Sequence, residues 1–186
     1  MPRLSNEAQA QELGRDLVDQ VRMVGEVTDR CRANNPALAE FRYDLHTVAL
    51  AQGVGRYCAR NRWPGVRRGR LQMCFQNAAH LALRDDRYVY CEGYAVRPSL
   101  PIVVGLHAWV LDRDRGWEVI DPTWRETAGS AYLGVPFSHK FLTDQLVRNG
   151  TYGLIDVWSA RHPVLRLDPA EYLHADAASI PRDFEP

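Results

Sequence analysis

The chain lacks any apolar run near the roughly 18 residues that a membrane-spanning helix needs. Its first segment, MPRLSNEAQAQELG, is polar and has none of the apolar core of a secretory leader. Lysine is almost absent: Lys140 stands alone beside 22 arginines, a bias from which no function follows. Neither sign of charge is in excess, with 23 basic and 23 acidic residues, so the molecule as a whole is not built for nucleic acid or for a membrane surface. There is no internal repeat, no low-complexity segment and no acidic calcium loop. The four cysteines (31, 58, 74 and 91) include no close C-x₂-C pair of the kind structural zinc sites use, and no metal or other cofactor is expected. Together these absences lead to an expected cytoplasmic protein with free thiols, without a membrane or nucleic-acid partner.

What is present is ordinary for a globular chain. Its 186 residues are 46% hydrophobic and 25% charged, which fits one domain, or one domain with a helical extension. Three parts are expected: an N-terminal helical region over 1–62, a catalytic core over 63–162, and a tail over 163–186 that packs on the core. Ser5 reads as a helix cap, and Leu13, Leu17, Val21, Val24 and Cys31 then recur on one helical face. Asn34, Asn35 and Pro36 stop that helix. A second is expected from Pro36 to Ala51, and a short third from Val54 to Arg62, ended by Trp63-Pro64-Gly65.

From Cys74 the pattern changes. Residues 74–84 are rich in Ala and Leu and predict a helix. Tyr88–Val96 and Val103–Leu111 carry the β-branched and aromatic residues of strands, and Trp117–Ile120 is a third strand ended by Asp121-Pro122. Asp112–Gly116 reads as a hairpin connection. Ser138–Asn149 fits a helix stopped by Gly150, and Gly153–Trp158 a further strand. Helices followed by a helix and antiparallel hairpins make the class α+β.

Three side chains in this segment carry chemistry. Cys74 opens a helix, where the unpaired backbone N–H groups and the positive end of the dipole favour a thiolate and can hold an oxyanion. His107 lies in the strand VVGLHAWVL, with His107 and Trp109 on one face and Leu106 and Ala108 on the other. Asp121 follows after the hairpin. A turn centred on Arg113 and Asp114 sets His107 opposite Ile120 or Asp121, so the carboxylate can orient the imidazole. A nucleophile, its base and an orienter for the base describe covalent catalysis on amides or thioesters.

Cys74 with Ala78, Gly93-Tyr94, His107-Ala108-Trp109 and Trp117 leading to Asp121-Pro122-Thr123 resemble, in order and spacing, the core of the transglutaminase-like superfamily, itself related to papain-like cysteine proteases. The resemblance covers about residues 71–124. It implies a transglutaminase-like, papain-like core: a catalytic Cys at a helix N-terminus packed on a small antiparallel sheet, with N-terminal helices added. It also implies that Cys74 is the nucleophile, His107 the base and Asp121 the orienter. The substrate would be a protein, peptide or small amide or thioester, and the enzyme a cysteine protease, amidase or acyltransferase. One departure is Gln72, which stands where the family usually has glycine two residues before the Cys. It either crowds the thiol or supplies an oxyanion donor, as glutamine does in papain-like enzymes. Trp63 is a second candidate oxyanion donor, and Trp109 a candidate for lining the cleft.

Two other readings stay open. One is a non-catalytic binding module on the same scaffold. The other is an arylamine-acetyltransferase-like enzyme, which the His-Ala-Trp and Asp-Pro-Thr signatures fit less well. The basic run Arg60, Arg62, Arg67, Arg68 and Arg70 reads either as a solvated loop or as an entrance that draws acidic substrates.

Overall fold

The computed structural model describes residues 6–35, 45–61, 65–103, 105–157 and 162–186. In chain order the elements are α1 (Asn6–Ala33), α2 (Leu45–Gln52), β1 (Val54–Tyr57), α3 (Cys74–Ala82), β2 (Tyr88–Val96), β3 (Leu106–Asp112), β4 (Glu118–Ile120), β5 (Ala131–Pro136), α4 (His139–Asn149) and α5 (Pro169–Tyr172). The strands form one antiparallel sheet in the order β1-β5-β2-β3-β4. The sheet is curled, so its two edge strands β1 and β4 come into contact. The architecture is therefore α+β, as the order of elements implied.

The alternation of side chains along the strands sorts the core into layers. On one face Tyr88, Tyr90, Ala108, Val110 and Val135 pack against Ala78, Ala79 and Ala82 of α3 and Phe141 and Leu142 of α4. Farther along that face Tyr94, Val96, Ala131 and Leu133 meet Leu13, Leu17, Val18 and Val21 of α1. The other face, inside the curl, gathers Val89, Cys91, Trp109, Leu111, Val119 and Tyr132. Each residue of β2, the middle strand, is buried, because helices cover one side and the curl covers the other.

Several expectations change. Val54–Tyr57 is a strand, not a short helix: Gly53 closes α2, and Val54↔Gly134 to Tyr57↔Ala131 give it a full ladder partner in β5. The local pattern does not announce β5, and without that partner β1 does not declare itself either. Gly153–Val157 is not a strand; the N–H groups of Leu154 and Ile155 donate to the buried Glu92 carboxylate at 2.6 and 2.9 Å instead. On α1 the buried stripe runs from Ala10 to Val21, while Cys31 is exposed and takes no part in it. The expected cap Ser5 and the expected helix start at Pro36 lie outside the described residues. Among the described residues no helix is long and apolar enough to cross a membrane.

The α4 boundaries show the local rules at work. The Ser138 hydroxyl accepts the Phe141 N–H at 3.1 Å as an N-cap, and Gly150 at φ 65° closes the C-terminus. Gly134 is fixed by packing: a Cβ there would lie 2.3 Å from the Trp109 ring. That indole belongs to β3, two residues after His107 and on the same face of the strand.

Candidate active site

Cys74 is the first residue of α3, and no side chain caps the helix end ahead of it. The first-turn N–H groups are thus left for another acceptor. Gln72, two residues earlier, has φ 65°, the left-handed region where glycine is at ease and other residues are strained. The glycine usual here in the family that the sequence resembles has a physical reason at this position: the chain turns left-handed just before the helix.

His107 is the second residue of β3. Its neighbours in register are Gly93 on β2 and, along the strand, the buried Ala108. The His107 side chain is 8% exposed. Its Nε2 lies 2.7 Å from Asp121 Oδ2, and its plane stacks on Trp124 with ring centres 4.2 Å apart at 21°. The Cys74 thiol borders the same groove as this imidazole and lies near enough to it to favour its charged form. With Nε2 engaged by Asp121, Nδ1 is the nitrogen left for the thiol.

Asp121 reaches the imidazole by a different route from the expected one. The register is Val110↔Ile120 and Asp112↔Glu118, so β4 ends before it comes opposite His107. The connection is longer than a tight turn: a 3₁₀ turn at Arg113–Arg115 is followed by Gly116 and Trp117, both at positive φ. Asp121 instead turns out of the strand at Pro122 and is held there by its own loop. Its Oδ1 accepts the N–H groups of Thr123 at 2.7 Å and Trp124 at 3.0 Å. Its Oδ2 accepts the Tyr132 hydroxyl at 3.0 Å in addition to His107. The loop is tied to α3 through Asn77, whose Nδ2 donates to Thr123 Oγ1 at 2.9 Å and to Arg70 O at 2.7 Å.

The electrostatics follow from burial and pairing. Burial by itself would lower the His107 pKa. The Asp121 charge and hydrogen bond, with a smaller contribution from Cys74, reverse this and raise it to about 9. Burial would likewise raise the Asp121 carboxyl, but the imidazolium and the two backbone N–H donors outweigh it and hold the group below its usual value. At neutral pH the pair is an ion pair with both ends satisfied. Tyr132 is pushed well above the usual phenol range by burial and then by the Asp121 charge, so it remains a donor.

Cys74, Gln72, His107, Trp124, Arg97 and Arg125 border one open groove of about 620 Å³. The structure therefore brings Cys74, His107 and Asp121 together and sets Gln72 beside them. Trp109, expected as a candidate cleft residue, is 1% exposed and packs behind His107 at 6.3 Å, so its role there is support. Trp63 lies outside the described residues. Of the basic run, Arg67, Arg68 and Arg70 border a separate groove along α3, while Arg62 is outside the described residues. Tyr132, Trp124 and Asn77 join the site without having been expected there. Trp124 had a signal in its place just after Asp-Pro-Thr; Tyr132 had none, since its strand has no clear local pattern.

The remaining cysteines are placed differently. Cys58 and Cys91 are buried, with thiols raised by desolvation, and Cys31 is exposed. Among the described residues no group of three His, Cys, Asp or Glu side chains is positioned to hold a metal ion. No protein-family model matches the chain, and neither a curated protein nor a solved structure matches it.

Proposed function

We propose that the protein is a cysteine-dependent acyl-transfer enzyme, with a transglutaminase-like core as its fold family. The observation that carries this reading is the imidazole paired with a fully satisfied carboxylate and set beside the Cys74 thiol on the wall of one open groove. Cys74 attacks the carbonyl carbon of an amide, peptide or thioester as a thiolate, its proton resting on His107. First-turn N–H groups of α3, with the Gln72 side chain beside them, receive the developing oxyanion. His107 gives its proton to the leaving amine or thiol, leaving an acyl-thioester on Cys74. Water or an amine, deprotonated by His107, then attacks that thioester and frees Cys74. Water makes the reaction a hydrolysis, an amine a transamidation. Asp121 keeps the Nε2–H directed at itself, so that Nδ1 always faces the thiol.

The test is iodoacetamide labelling mapped by mass spectrometry, with exposed Cys31 as the internal control. Cys74 is expected to label faster than Cys31 in the wild type and to lose that advantage in His107→Ala. Turnover of any amide or thioester substrate found afterwards should vanish in Cys74→Ala with the fold intact. Cys74 labelling no faster than Cys31, or turnover that survives Cys74→Ala, would overturn the reading and leave a binding module on this scaffold.

A further inference from the structure

Arg97 leaves β2 directly after Val96 and enters a tight turn closed by reciprocal bonds: Arg97 N–H to Leu100 O at 3.2 Å and Leu100 N–H to Arg97 O at 2.8 Å. Its guanidinium lies 5.2 Å over the Trp124 ring, and Trp124 in turn stacks on His107. The Trp124 ring thus contacts both the Arg97 guanidinium and the His107 imidazole, which keeps a cation one ring away from the base. The Nε of Arg97 is buried without a hydrogen-bond partner, and the side chain makes no ion pair with any described residue. Two carboxylates are near. Asp121 is spent on four donors, and Glu126, exposed on the groove rim, makes no ion pair with a described residue. Arg125 adds a second cation to the same rim.

A planar guanidinium lying over an indole, on the groove of a nucleophile and without a counter-ion among the described residues, has its fork available for a carboxylate. We propose that Arg97 is the specificity-determining residue of this groove and binds a carboxylate on the acyl donor close to the carbonyl that Cys74 attacks. The inference rests on the acyl-transfer reading and names its substrate class. The carboxylate comes either from an acidic side chain or from a chain-terminal carboxyl group, which offer the same chemistry.

Three chloromethyl ketones that alkylate cysteine separate these cases: acetyl-glutamyl-alanyl for the side chain, succinyl-alanyl for the terminal group, and neutral acetyl-glutaminyl-alanyl. At least one acidic probe is expected to label wild-type Cys74 about tenfold faster than the neutral one, the scale of one charge-assisted hydrogen bond. In Arg97→Gln that ratio should fall toward one, and Arg97→Lys should recover part of it. In the wild type, 0.5 M salt should shrink it, which needs no variant to fold. An equal ratio in wild type and Arg97→Gln, or no preference in the wild type at low salt, would overturn the role of Arg97 while Cys74 still labels. Failure of all three probes to label Cys74 ahead of Cys31 would overturn the acyl-transfer reading and this inference with it.

Discussion

Replacing Asp121 with asparagine alters one atom of the site, yet the surrounding hydrogen bonds dictate how the new side chain must sit. Oδ1 accepts two backbone N–H groups, from Thr123 and Trp124, which can only donate. The asparagine must therefore place its oxygen there and its NH₂ group where Oδ2 now meets His107 Nε2 and the Tyr132 hydroxyl. An amide N–H facing Nε2 needs a lone pair on that nitrogen, so the proton moves to Nδ1, the atom that faces Cys74. The base is then unable to accept the thiol proton. The charge is lost as well. The His107 pKa of about 9, against an ordinary 6.5, corresponds to roughly 3 kcal/mol of preference for the imidazolium. Without Asp121 the burial that opposes it remains, so the pKa falls to 6.5 or below. At pH 7.5 the charged fraction then drops from about 97% to about 10% or less. Catalysis should fall about 10³–10⁴-fold, the scale seen when a triad histidine is held in the wrong tautomer. Iodoacetamide labelling of Cys74 between pH 6 and 9 reads the loss, and long-range ¹H–¹⁵N correlation reads the tautomer. A variant that keeps the Nε2–H form and labels Cys74 within about threefold of wild type would refute the reasoning.

Two further outcomes are expected of the site and its support. Gln72→Gly places glycine at φ 65°, where relief of about 1 kcal/mol of strain offsets the added freedom of the unfolded chain, so urea stability should stay within about 1 kcal/mol. If the Gln72 amide donates to the oxyanion, labelling of Cys74 by a peptidyl chloromethyl ketone should nevertheless slow about 10²-fold; an unchanged rate removes Gln72 from that role. The second outcome concerns pH. Burial raises Glu92 to about 7 despite the N–H groups of Ile155 and Leu154 and the Tyr90 hydroxyl, and His107 stands at about 9. In both cases the folded state holds the proton more tightly than the unfolded one. Their contributions are complete below the ordinary values, about 4.5 and 6.5, and are lost as pH rises through the folded ones, about 3 kcal/mol each. Urea midpoints should therefore fall from pH 5 to 9, and the decline above pH 7 should flatten in His107→Ala. A wild-type midpoint that rises across this window would contradict both assignments.

The parts of the fold legible in the sequence are those set by local chemistry. The Tyr88–Val96 strand, the helix opened by Cys74, and the Ser138 and Gly150 limits of α4 depend on propensity and capping, and they lie where the residues placed them. The parts that escaped depend on partners distant in sequence. In AYLGVP the glycine weakens the strand signal, and the Trp109 ring and the Glu92 carbonyl lying against Gly134 explain it. Val54–Tyr57 is too short to declare itself without that partner. The Gly153–Val157 segment resembles a strand because its apolar residues are buried, but a carboxylate from β2 takes two of its N–H groups. In the site, the His107–Asp121 contact was legible and its register was not, because positive φ at Trp117 lengthens the turn beyond what a hairpin rule anticipates. Tyr132, the fourth donor to Asp121, escaped together with the strand that carries it.

The pairing of β1 has a consequence for how the molecule is assembled. Val54 meets Gly134, and the outer edge of β1 is closed by the tail: Gly55 bridges to Phe184, the Tyr57 N–H donates to Asp183 Oδ2 at 2.8 Å, and Arg56 pairs with Asp183 at 3.1 Å. The contacts that build the site are more local, joining α3, β2, β3, the loop after β4 and the start of β5 within residues 70–132. Short loops close at a lower entropic cost and sooner than long ones. The hairpins around His107 are thus expected to form early. The β1 edge stays open until the chain has been made as far as Phe184, and during synthesis that bare strand is where a neighbouring chain would find a template.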